Sequence, residues 1–290
     1  MNIFANNNEP EGIHATNVKD MWRILVGAAV TVTASFLFDW LAVPLYLKVS
    51  LKGEDDNELR LSYAKKAAKC SYQATYFTCV TIWGYMVLKE SNFLPFWMGG
   101  KNTTSDSYNN LFTNTPFTTY SKGVFDYVLY TTGYHFGGFV THLIFNREAT
   151  DFQDMLLHHI ATLALMIGCF LLNYMPIGAC IAWLHDMGQI PLQTSKILSA
   201  TTYNRATVYI FALAILTWIV TRLVWFAFFI YVTLTLDPKE ETGYDAPLTL
   251  VLRVSAVYLS TLYLLHCYWF YLMIRIATGF SKGKVEDTHN

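Results

Sequence analysis

The sequence predicts an all-α fold, a polytopic membrane protein of about seven transmembrane helices. Two observations predict it. Of the 290 residues 53% are hydrophobic and only 14% charged, well below the roughly 25% charged usage of an ordinary soluble domain. The apolar residues also gather into stretches that approach or exceed the about 20 residues a helix needs to cross a bilayer. The formal net charge of -1, with Lys and Arg spread among loops, argues against a nucleic-acid partner, whose phosphates call for a clustered positive surplus.

The elements follow in chain order. Residues 1–20 are a polar N-terminus without the layout of a cleaved signal peptide or a transit peptide. A first span covers 21–47, and the segment from there to residue 67 reads as a loop whose GEDDNELR run is a solvated stretch. Residues 68–279 hold the remaining spans, expected at 68–88, 124–145, 152–172, 175–198, 206–236 and 249–278, and 280–290 form a short polar tail. The second and fifth spans are weak by hydropathy, the second for Gln73 and its Thr and Tyr residues, the fifth for His185, Asp186, Gln189, Gln193 and Lys196. Seven spans place twelve of the twenty Lys and Arg on the side of the C-terminus, among them Lys65, Lys66, Lys69, Arg147 and Arg275, and six on the other. The positive-inside rule then makes the tail cytosolic and the N-terminus luminal. The sequon Asn102-Thr103-Thr104 falls in the polar luminal loop 89–122. Cys70, Cys79, Cys169, Cys180 and Cys267 show no CxxC pair, so neither a disulfide framework nor a structural zinc site is expected.

Ionisable groups buried in hydrocarbon cost about 3 kcal/mol or more each, so they face cavities or partners and are functional candidates by default. Here they recur in consecutive spans: His135 and His142 in the third, His158 and His159 in the fourth, His185 and Asp186 in the fifth, Arg222 in the sixth and His266 in the seventh. On a helix His185, Asp186, Gln189, Gln193 and Lys196 share one arc of about 100°, and Pro191 is expected to kink the helix beside that stripe. His158 and His159 point about 100° apart, so one should react while the other supports. An imidazole can accept a proton from an attacking amine or attack a thioester itself, and Asp186 is suited to orient a histidine and stabilise its cation. Taken singly, His135, His142 and His266 read better as helix-packing hydrogen bonds. Asp154 reads as a helix-start residue and Lys196 as a snorkelling one. Arg222 fits ion pairing with Asp186 and binding of an anionic group equally well. The HH pair lacks the HxxHH box of membrane di-iron enzymes. No metal is expected, a lone zinc on His158, His185 and Asp186 being the minor alternative.

From Asp151 to Phe228 the order DFQDMLLHHIATLALM, then LHDMGQIPLQTSK, with Asn173-Tyr174 and Ile177-Gly178 between them and TRLVWFAFFIY after, resembles the TLC domain of ceramide synthases. That resemblance implies a helix bundle around a lipid-sized cavity in which fatty acyl-CoA and a sphingoid base are joined to (dihydro)ceramide, with no cofactor beyond acyl-CoA as co-substrate. It implies catalytic roles for His158, His159, His185 and Asp186, and substrate contacts at Arg222, Gln189, Gln193, His135, His142 and Asn173. It also implies residence in the endoplasmic reticulum membrane, an organellar (mitochondrial) inner membrane being the alternative, with membrane lipids as neighbours and a homodimer or membrane complex as an expected assembly. Two departures stand out: the family's HDxxDxxLE reads here with Gln189 and Gln193 in place of the second acid and the terminal Glu, and the family's Trp in the third span gives way to the region of His135 and Phe136. A catalytically silent lipid-binding or structural subunit is the alternative reading.

Overall fold

The computed structural model describes residues 18–49, 51–53, 56–112, 120–235 and 246–281. Most of the N-terminus, residues 236–245 and the tail from 282 lie outside them, so the expectation that the luminal segment 237–247 borders the far end of a tail cavity falls largely on residues not described. The described chain is all-helical: α1 (Trp22–Tyr46), α2 (Asn57–Glu90), α3 (Thr104–Phe112), α4 (Lys122–Phe145), α5 (Phe152–Leu171), α6 (Met175–Ser199), α7 (Asn204–Trp218), α8 (Trp225–Thr235) and α9 (Ala246–Ser281). Among the described residues, four helices are long and apolar enough to cross a membrane: Lys19–Tyr46, Phe152–Leu171, Arg205–Thr235 and Leu250–Gly279.

Burial follows the logic of an apolar solvent. Along α9, Leu250, Val254, Val257, Leu264, Tyr268 and Tyr271 lie exposed at helical spacing, while Leu252, Ala256, Leu259, Leu262 and His266 turn inward. Large apolar groups on the outside and a histidine on the inside invert the pattern of a water-soluble helix. α6 is the hub, packed against α2, α4, α5 and α7. Its neighbours are protein on most sides, which is why a helix with so many polar residues is tolerated there and why hydropathy undervalues it.

Small residues set the closest approaches. Gly133 and Gly137, a GxxxG pair on α4, press against α1: a methyl group at Gly133 would lie 2.9 Å from the Ile24 carbonyl oxygen and 3.0 Å from the Gly27 Cα. Such stripes let backbones meet where no hydrophobic drive favours helix association. Arg23 clamps the same pair of helices through a 2.6 Å bond to Asp126. His135, two residues from each glycine, is thereby turned away from α1 and lines the pocket described below.

Two details differ from the sequence expectation. The GEDDNELR run is not all loop, because Asp56 caps α2, its Oδ1 accepting from the backbone N–H groups of Glu58 and Leu59. α2 therefore starts eleven residues earlier than the expected span, carrying Lys65, Lys66 and Lys69 on helix. The sixth span is interrupted by a π-helical segment, Ile219–Val224, between α7 and α8. Pro191 lies inside α6, where it withholds one backbone donor without ending the helix.

Candidate active site

Arg222 sits in the π-helical segment, 1% exposed. A π turn inserts a residue into a helix and shifts the face its side chains present, a device common at functional sites. Gly188 on α6 admits the segment: a Cβ there would lie 2.9 Å from Thr221 Oγ1 and 3.6 Å from Arg222 Nε. The guanidinium lies over Trp218, its Cζ 4.6 Å from the ring centroid, and its Nη2 donates to the His185 carbonyl at 2.9 Å. Arg222 and Asp186 form no ion pair within 4.0 Å.

Asp186 is 2% exposed and accepts a hydrogen bond from the Tyr127 hydroxyl at 3.1 Å. Tyr127 reaches it from α4 because Gly84 of α2 leaves room for the phenol ring. His185 donates Nδ1–H to the Ile181 carbonyl at 2.8 Å, and its Nε2 lies 3.0 Å from Nε2 of His266 on α9. His158 packs edge-on to Trp269, ring centroids 5.4 Å apart, with His266 at 6.3 Å.

These groups converge on a pocket. At one end it is lined by His135, His158, His185, Asp186, Gln189 and Arg222; at the other it is walled mostly by apolar residues such as Leu165, Leu172, Ile177, Leu252 and Leu259. An apolar trough closed by a few convergent polar groups is the usual form of a small-molecule site. Among the described residues no three His, Cys, Asp or Glu side chains are grouped as a metal site.

The expected site residues divide. His158 lines the pocket, whereas His159 turns toward α4, its ring 5.5 Å from His142 and 6.3 Å from Phe139. His142, buried, donates Nε2–H to the Phe152 carbonyl at 3.0 Å and stacks on the Phe152 ring at 4.8 Å, fastening the end of α4 to the start of α5. Gln189 lines the pocket, and Gln193 is buried with its Nε2 3.4 Å from Gln189 Oε1. Asn173 occupies the turn between α5 and α6 at φ +60°, where its side-chain oxygen accepts from the Tyr120 hydroxyl at 2.6 Å. Asparagine tolerates that left-handed conformation better than most residues. Neither His142, Gln193 nor Asn173 lines the pocket. Sequence reasoning passed over Tyr127, Trp218 and Trp269, which carry no motif, and discounted His266, whose only signal was a lone polar group in an apolar span.

Residues 66–275 match the family model of the TLC domain. The chain belongs to the TLC domain family. Ceramide synthase hyl-2 of Caenorhabditis elegans is 26% identical over 306 residues, covering 98% of this chain and 87% of the relative. Ceramide synthase 4 of Mus musculus is 25% identical over 234 residues, 80% of this chain and 55% of the relative. Ceramide synthase 1 LOH3 of Arabidopsis thaliana is 26% identical over 271 residues, 87% and 82% of the two chains. The TLC match spans α4, α5 and α6 and the π-helical segment, so every pocket-lining group named above lies within it.

Proposed function

We propose that this TLC protein is an acyl-CoA-dependent N-acyltransferase that joins a fatty acyl group to the amine of a sphingoid base, giving (dihydro)ceramide. The observation that carries the reading is the division of the histidine pair: His158 faces an apolar-walled pocket beside Asp186, while His159 packs against α4. The resemblance to ceramide synthases from three organisms supports the substrate class.

In this reading the acyl chain lies along the apolar half of the pocket and its thioester carbonyl reaches His158. The amine nitrogen attacks the carbonyl carbon, the C–N bond forms, and the C–S bond breaks. His158 takes the proton lost from nitrogen and returns it to the departing thiolate, so the products are an amide and free CoA with no net proton change. Asp186, held by Tyr127, and Gln189 face the amine and hydroxyl groups of the acceptor. His159 supports α5 through its packing. Because α2, α4 and α6 are 34, 24 and 25 residues long and pack within the bundle, we also propose that they cross the bilayer. That gives seven spans with the C-terminus cytosolic, in the endoplasmic reticulum membrane.

The exchange of two acids for Gln189 and Gln193 favours a second reading, a lipid-binding subunit without turnover, since an amide cannot hold an ammonium by charge. One experiment separates the two. Protein in lipid nanodiscs is given labelled acyl-CoA and sphinganine, and product is followed by mass spectrometry. N-acyl product with release of CoA supports the enzyme; a folded preparation that binds lipid yet yields no amide from any acyl-CoA and amine pair supports the subunit.

A further inference from the structure

His266 lies outside every motif of the pocket, and its surroundings define what it can do. It is fully buried, 0% exposed. Four contacts close into a circuit around it. Its backbone carbonyl accepts from Trp218 Nε1 at 3.2 Å, Trp218 carries the Arg222 guanidinium, Arg222 binds the His185 carbonyl, and the His185 ring returns to the His266 ring at 3.0 Å.

Proton positions in the imidazole pair follow from donor and acceptor logic. A carbonyl oxygen only accepts, so His185 must present Nδ1–H to Ile181. A neutral His185 then has a lone pair at Nε2, and the 3.0 Å contact requires His266 to carry its proton at Nε2. Both nitrogens of His185 are thereby occupied. His266 keeps a bare Nδ1, a buried ring nitrogen with no hydrogen-bond partner. His158, whose Nδ1 is equally unpartnered, has its ring centroid 6.3 Å away, within reach of one bridging water.

We propose that His266 is a positioning residue and the proton acceptor of this pair. At rest it holds His185 as a neutral ring whose Nε2 lone pair is engaged, so a proton reaches His185 only through His266. Its own Nδ1 receives the proton that His158 collects from the amine. A proton entering at Nδ1 releases the one at Nε2 to His185 Nε2, and the reverse transfer returns it for the thiolate, so no proton is gained or lost over the cycle. The charged and titratable groups near the pair are Arg222 on the π-helical segment, His158 on α5 and His135 on α4, with Asp186 next to His185 along α6. The proposal rests on the N-acyltransferase reading given above.

The test uses the full chain in nanodiscs and compares His266→Gln, whose amide can still donate to His185 but cannot relay a proton, with the unchanged protein. Expected is a fall in kcat of about tenfold or more near neutral pH that narrows steadily toward pH 9, where hydroxide takes the proton instead, with an unaltered melting temperature. A loss uniform across pH, or a fully active variant, would overturn the relay. In parallel, nitrogen NMR of ring-labelled histidine reads the tautomers directly: Nδ1–H at His185 with Nε2–H at His266 is expected, and Nδ1–H at His266 would overturn the assignment. If the unchanged protein makes no amide, the enzymatic reading fails by itself, and the NMR result still decides the tautomers.

Discussion

Tyr127→Phe removes one oxygen atom and leaves the ring in place, wedged at Gly84 and edge-on to Trp83 at 5.5 Å. That oxygen is 3.1 Å from Asp186, a carboxyl group 2% exposed. A hydrogen bond contributes about 0.5–1.5 kcal/mol net, and a buried acceptor left bare forfeits about 1–3 kcal/mol. If Asp186 must be held in one rotamer for the amine to be received, that loss falls on the transition state. At about 1.4 kcal/mol per tenfold in rate it becomes a drop of roughly 10- to 100-fold in kcat. The assay is steady-state N-acylation in nanodiscs at saturating acyl-CoA, with folded protein quantified by size exclusion and thermal unfolding. Gly84→Ala supplies an orthogonal perturbation, because its methyl group would lie 2.8 Å from Tyr127 Cε2 and Cζ, displacing the phenol without deleting it. It should lower kcat in the same direction. Full activity in Tyr127→Phe, with the protein folded, would refute the claim that this contact organises Asp186.

Three further outcomes are expected. Gly188→Ala would place a methyl group 2.9 Å from Thr221 Oγ1 and force α6 from the π-helical segment; about 1–3 kcal/mol of stability should be lost, read as a lower melting temperature that Thr221→Ala partly restores. His142→Ala deletes the 3.0 Å bond and the ring stack that fasten α4 to α5; a loss of about 1–3 kcal/mol is expected, smaller for His142→Gln, which keeps a donor for the Phe152 carbonyl. Leu259→Trp narrows the apolar half of the pocket and should shift the products toward shorter acyl chains, whereas an unchanged chain-length profile would show that the acyl group lies elsewhere.

Much of the pocket's polar lining was legible because burying charge in hydrocarbon is costly enough to mark residues individually. His135, His158, His185, Asp186, Gln189 and Arg222 stood out as polar groups in apolar spans, and all six line one pocket. The 100° offset of adjacent helical residues foretold that His158 and His159 would part. What stayed hidden depends on packing across helices. Tyr127 is an ordinary membrane tyrosine until Gly84 is placed opposite it, and His266 acquires a role only when α9, packed on α5 and α8, brings its ring 3.0 Å from His185. The π-helical turn that brings Arg222 inward leaves no mark in periodicity, since its neighbours are apolar on every face. His142 carried both a packing and a substrate reading and lies in a helix junction, as the packing reading had it, while Asn173 was read toward substrate yet lies in a tight turn, because a polar residue satisfying a backbone carbonyl or a turn looks the same in sequence as one facing a ligand. The capped start of α2 was readable in principle, Asp56 standing before Asn57 and Glu58, but its acidic run resembled a loop.

In the proposed mechanism His158, not His159, is the reacting imidazole. The most direct measurement is N-acyl product formation by His158→Gln and His159→Gln in identical nanodiscs, with melting temperatures alongside. His158→Gln should fold normally and make no product, and His159→Gln should keep measurable turnover. Product from His158→Gln together with none from a folded His159→Gln would contradict that mechanism.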